Sequence, residues 1–194
     1  MTFKVKVHEV KKATNAEAKA FRAAARQVEI ELNSDEFWYD VAMVYNSWEN
    51  KKQVPFRGAA GDINQTFKQF KEMVLGGSTV FDHHEDKILD VLVEFYYSWR
   101  SVVGYTTPST WYTWINRNVF KGFDLGDIGG NIAHEGLHNQ GLGHPGANRA
   151  SVTYKFGYMV RDRIKKRLGL ESTINFKYKR SLWTRVKRFF GRIL

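Results

Sequence analysis

The sequence predicts an α+β fold, one domain in which a mixed β-sheet is packed by helices. Three observations predict it. The first ten residues alternate apolar and charged side chains, as a half-buried strand does. Residues 88–99 and 109–120 are rich in β-branched and aromatic side chains with turn residues Gly104 and Pro108 between them, which reads as two neighbouring strands. Between and after these lie stretches with apolar residues at helical spacing. A length of 194 residues suits one core and is too short for two ordinary domains and a linker, so residues 1–175 are assigned to one domain and 176–194 to a basic tail.

Taken in order, the first helix runs from Ala16 to Leu32 behind Thr14-Asn15. Its composition is alanine-rich, and Phe21, Ala24, Ala25, Val28 and Leu32 form one apolar face. Asn33-Ser34 breaks it and caps a second helix from Asp35 to about Tyr45. Asn50 to Asp62, with Pro55, Gly58 and Gly61, reads as a loop. A third helix spans Asn64 to Leu75 and ends at Gly76-Gly77. After the strand pair, Gly122 to Gly130 reads as a loop in which Asp124 and Asp127 are N-cap candidates for the helix that follows.

That last helix carries the chemistry. Residues 134–144 read His-Glu-Gly-Leu-His-Asn-Gln-Gly-Leu-Gly-His. His134 and His138 are four apart, so on a helix both imidazoles stack on one face and reach one ion. Gly141 can take the strained backbone that ends the helix and turns the chain, which brings His144 round as a third ligand. The chain contains no cysteine, so a metal here is held by imidazole or oxygen, and Zn²⁺ suits three histidines with an open fourth position for water. Coordination lowers the pKa of that water from about 15.7 towards roughly 7. Glu135 is placed to take the water's proton and return it to a leaving amine. Five specified residues in this pattern arise by accident in on the order of one random chain in ten thousand or fewer.

The motif resembles the metzincin signature HExxHxxGxxH. Upstream, Gly104-Tyr105-Thr-Thr-Pro-Ser, Trp114-Ile-Asn-Arg-Asn-Val-Phe and Asn131-Ile-Ala-His-Glu are similar to zincin-like peptidases of bacteriophages and bacteria. The resemblance implies a zincin-like fold, a zinc metallopeptidase acting as an endopeptidase on a protein or peptide, and a shallow cleft with a strand above the metal. Residues 111–116 then pair with an extended substrate by strand addition. It also implies a small C-terminal lobe supplying His144 and a methionine-bearing turn. Some metzincins carry Ser-x-Met-x-Tyr after the third histidine, where this chain reads Ser151-Val-Thr-Tyr154, with the next methionine at Met159. Either Met159 forms the base of the site or no methionine does. Tyr154 has two readings: a phenol beside the metal that donates to the oxyanion, or a core tyrosine.

Other candidates are weaker. Asp82-His83-His84-Glu85-Asp86 reads as a solvated loop, because adjacent histidines cannot both aim at one ion from regular structure. His8 reads as structural or exposed. Asn131 and Asp127 could orient the imidazoles, but capping accounts for them more simply. Among Trp99, Tyr105, Trp111, Tyr112 and Trp114, alternate members belong to the core and the others can line a cleft.

Net charge is +10, of which +7 lies in residues 176–194, leaving +3 for the other 175 residues. Within the tail, Leu182, Val186, Phe189, Phe190 and Ile193 form an apolar stripe among arginines and lysines. Residues 181–194 therefore read as a basic amphipathic helix that either packs on the domain or meets an anionic membrane surface or nucleic acid. No run is long enough for a transmembrane segment and the N-terminus does not read as a signal peptide, which points to a cytoplasmic or virion-associated protein. A competing functional reading is a zinc domain with little activity that binds through its tail; the base at Glu135 argues for the enzyme.

Overall fold

A computed structural model describes residues 2–53, 63–77, 87–100, 102–106, 112–144 and 146–170. The loop around Pro55, Gly58 and Gly61, the cluster 82–86, Pro108, Trp111 and the tail 176–194 lie outside the described residues. Strand β1 (Lys4–Lys11) leads into helix α1 (Asn15–Leu32) and helix α2 (Asp35–Tyr45). Thr14 caps α1 in a reciprocal pair with Glu17, and the Ser34 hydroxyl caps α2 by accepting from the Phe37 N–H. A two-residue pair, β2 (Lys52–Gln53) and β3 (Ile63–Asn64), precedes helix α3 (Phe67–Gly76). The helix expected from Asn64 starts later because Thr66 forms a capping box with Gln69.

Strands β4 (Ile88–Tyr96), β5 (Gly104–Thr106) and β6 (Tyr112–Asn116) complete a four-stranded mixed sheet in the order β1-β4-β6-β5. β1, β4 and β6 are parallel, and β5 returns antiparallel to β6. The two long runs predicted as neighbours are indeed neighbours, but both are shorter than expected. Asn116 ends β6 by capping the single turn α4 (Arg117–Phe120).

The register also corrects the expected substrate strand. Along β6, Thr113, Trp114 and Ile115 have partners on both sides, in β4 and in β5. Their backbone is not open to strand addition, and β5 forms that edge of the sheet.

Helix α5 (Leu125–Asn139) begins inside the segment whose glycines predicted a loop. Asp124 is its N-cap, in a capping box with Asp127, so capping is the role these two acids play. The glycines serve close packing instead. A Cβ on Gly130 would sit 2.7 Å from the Gly157 carbonyl oxygen, and one on Gly129 would sit 2.5 Å from Ile164 Cδ1. Both contacts are with helix α6 (Val152–Leu168), which lies directly against α5. Lys165, buried on α6, bridges Asp124 and Asp127 at 2.9 Å each and ties the start of α5 to its neighbour.

Helices α1, α5 and α6 pack together, with α1 against β1 and α5 against β4 and β5. Leu89, Val91, Val93 and Phe95 of β4 and Ile115 of β6 join Ile128, Ile132 and Leu137 of α5 in the core. An aromatic cluster of Phe37, Trp38, Tyr45, Phe70 and Phe156 joins α2 and α3 to α6.

Candidate metal centre

The helix that begins at Asp124 carries His134 and His138 on its third and fourth turns, and ends in a Schellman motif. The Gly141 N–H donates to the His138 carbonyl and the Leu142 N–H to the Leu137 carbonyl, both at 3.0 Å. Gly141 takes φ +89°, the left-handed region that the sequence reserved for it. Leu142 is buried and its carbonyl oxygen lies 2.6 Å from His138 Nδ1. The turn that stops the helix therefore also orients the second imidazole. Two residues on, His144 arrives with its Nδ1 2.5 Å from the Gly146 carbonyl oxygen.

A carbonyl only accepts, so His138 and His144 carry their proton on Nδ1 and present bare Nε2 lone pairs. Those atoms converge. His138 Nε2 is 3.1 Å and His144 Nε2 3.4 Å from His134 Nε2, and the three ligand atoms all lie within 4.8 Å of one another. Tetrahedral coordination at usual Zn–N lengths separates ligand nitrogens by about 3.3 Å. Lone pairs held this close repel unless a cation lies between them, so the three imidazoles fit a metal ion. Burial pushes the His134 pKa down to about 3, with His138 and His144 adding to the effect and a backbone hydrogen bond to Thr153 opposing it. Burial likewise lowers the other two. All three are neutral at pH 7, the form that binds metals.

Glu135 is 3% exposed and faces the edge strand, where its Oε2 accepts from the Thr106 hydroxyl at 2.7 Å. Thr113 Oγ1 lies 3.1 Å beyond Thr106 Oγ1. Burial raises the Glu135 pKa to about 7, and the Thr106 bond partly offsets it. A carboxyl balanced this way can accept or release a proton near neutrality.

The Tyr154 ring lies tilted against the His134 ring at 4.5 Å and against that of His144 at 4.7 Å, measured between centroids. It is half-buried and lies beside two of the three clustered imidazoles. Tyr158 follows one turn later, 5.9 Å from it. Met159 lies inside α6 and not on a turn. The face of α6 that meets α5 is marked by Gly157, where a Cβ would come within 3.1 Å of His134 Cβ, and Met159 is about 200° further round the helix.

Asn131, a sequence candidate for orienting the imidazoles, makes no hydrogen bond to them; its Nδ2 would lie 3.7 Å from a Cβ at Gly104. Backbone carbonyls orient His138 and His144 instead. His8 pairs with Asp90 at 2.5 Å on β4, a structural contact. Thr106, Thr113 and the Leu142 carbonyl are parts of the site that the sequence did not announce. Their only local mark was position within a strand and after a glycine.

No protein-family model, no curated protein and no solved structure matches this chain.

Proposed function

We propose that the chain is a zinc-dependent peptidase of the metzincin type with a zincin-like fold. The observation that carries this reading is the convergence of three neutral Nε2 atoms at 3.1 and 3.4 Å, with a buried carboxyl on the residue next to the first ligand. Zn²⁺ bound there supplies a Lewis acid and a water of lowered pKa. His134, His138 and His144 hold it, oriented from behind by backbone. Glu135, steadied by Thr106, takes a proton from the attacking water and hands it to the leaving amine. Tyr154 donates its hydroxyl to the substrate carbonyl oxygen as charge develops there. The edge strand β5, whose Thr106 touches the base, receives an extended peptide by strand addition in place of residues 111–116.

The test pairs metal analysis with a general peptide-cleavage assay on the wild type and Glu135→Ala. The reading requires zinc in both proteins and cleavage in the wild type alone. Zinc in both with cleavage in neither would instead assign the domain to binding.

A further inference from the structure

The chain from the end of β4 into the edge strand β5 presents apolar side chains to solvent. Tyr97 is 65% exposed, Trp99 101%, Val102 45% and Tyr105 45%, so four of the described chain's exposed large hydrophobics fall within nine residues. The Trp99 side chain is fully exposed. This presentation is held rigidly. Asn116, 0% exposed, donates from one carboxamide nitrogen to the carbonyls of Ser98, Arg100 and Val102 at 3.1, 2.9 and 3.2 Å, and its Oδ1 accepts from the Ser98 N–H. Arg117 anchors Tyr97 through a 3.0 Å hydrogen bond to the phenol and lies 4.9 Å over its ring. A buried polar clamp of this kind stiffens the loop that bears the indole, so exposure of Trp99 is built in.

The electrostatics of the region are one-sided. From Phe95 to Phe123 the sequence contains no aspartate or glutamate and carries Arg100, Arg117 and Lys121. Arg117 is neutralised by Glu17. Arg100 and Lys121 are exposed and form no ion pair with any described residue. Asn118, at the start of the turn that leads to Lys121, donates to the Ser98 carbonyl, which places that turn against the loop.

We propose that Tyr97, Trp99 and Val102 form a docking surface for an anionic lipid bilayer, with Trp99 entering the headgroup layer and Arg100 and Lys121 meeting the lipid phosphates. Indole and phenol rings settle at the membrane–water boundary, where an apolar body and a polar edge are both satisfied, and nearby cations gain from negative lipid. A projecting indole with no pocket around it suits a deformable partner better than a preformed protein groove. Val102 is four residues from Thr106, about 13 Å along an extended chain, so docking holds the edge strand and the metal centre against the membrane. The proposal stands apart from the peptidase reading, since it needs no metal.

The absence of cysteine allows a single environment-sensitive dye to be placed at will. In the full chain, Trp99→Cys carries it at the loop, and Met43→Cys, 70% exposed on α2, serves as control. With phosphatidylcholine vesicles containing phosphatidylglycerol, dye emission at position 99 shifts to the blue, and it does not at position 43. Unlabelled Trp99→Ala with Arg100→Ala, which keeps residues 181–194, partitions onto the same vesicles about tenfold more weakly. Vesicle binding with unchanged emission at 99 would overturn the proposal, as would equal shifts at both positions. A lipid-free shift at 99 that grows with protein concentration would assign the surface to a second copy of the chain instead.

Discussion

Replacing Gly157 by alanine tests whether the metal helix is held as closely as the structure places it. An added Cβ would lie 2.8 Å from the Gly130 carbonyl oxygen and 3.1 Å from His134 Cβ. Neither atom is the end of a flexible side chain, so no rotamer change relieves the contact and α6 must move away from α5. Overpacking against rigid neighbours costs about 1–3 kcal/mol. Two such contacts place this site at the upper end, and the better helix propensity of alanine returns about 1 kcal/mol. The net loss is about 2 kcal/mol, or a fall in Tm of about 4–8 °C for a chain of this size. The push falls on His134, so the zinc affinity that the proposed function requires drops as well, by about tenfold. Urea unfolding in excess chelator measures the first effect free of metal linkage, and competition with a chromophoric chelator measures the second. Gly76→Ala, with nothing within 4 Å of the new methyl, is the control and stays near wild type. A Gly157→Ala protein as stable as wild type, with unchanged zinc affinity, would refute the close approach of the two helices.

Three further predictions follow from named contacts. On the proposed reading, Tyr154→Phe keeps zinc and lowers turnover by about 10²-fold or more through loss of the oxyanion donor; unchanged turnover with full zinc occupancy removes that role. Lys165→Met strands Asp124 and Asp127 at the start of α5 and costs about 2 kcal/mol in denaturant titrations, less than a fully buried pair because both acids are partly exposed. Burial alone would raise Asp124, yet the Asp127 N–H and Lys165 hold its pKa below the ordinary 3.8, so its contribution is present above that value and lost as pH falls through the folded pKa. Burial alone would lower Lys165, yet Asp127 and Asp124 raise it above 10.5, so its contribution is full below 10.5 and lost as pH rises through the folded pKa. Stability against pH therefore declines at both extremes in the wild type, and Lys165→Met makes the alkaline decline shallower, the remainder coming from groups such as Tyr45, which burial raises to about 12; an identical alkaline limb in the variant would exclude the ion pair. Asn116→Ala takes the shared donor from the carbonyls of Arg100 and Val102, while Asn118 still reaches that of Ser98, and destabilises by about 1–2 kcal/mol because both residues are exposed. Amide exchange should accelerate first in the β4–β5 segment, and uniform protection there would mean the clamp is dispensable.

The three-histidine cluster was legible because its determinants are local. His134 and His138 depend only on the helical repeat, and Gly141 only on the need for φ +89° where the helix stops. The same glycine type misled three residue blocks earlier. Gly126, Gly129 and Gly130 read as a loop, since propensity counts backbone entropy and not what lies across the helix; only the approach of α6 explains them. The expected substrate strand failed for a related reason. Alternating side chains identify a strand but not its neighbours, and whether 112–116 lies inside a sheet or at its edge is decided by where β5 pairs.

By itself, then, the sequence determined an α+β chain, a three-histidine cluster on and after one helix, and a carboxylate beside it, all set by spacings of a few residues. The tertiary structure alone decided which groups surround them. Thr106 reaches Glu135 across 29 positions of chain, the Tyr154 ring reaches His134 from the first turn of α6, and Gly157 admits the histidine-bearing helix α5 to contact. Contacts of that kind leave no local periodicity, because they depend on how separate elements pack and not on the repeat of any one of them.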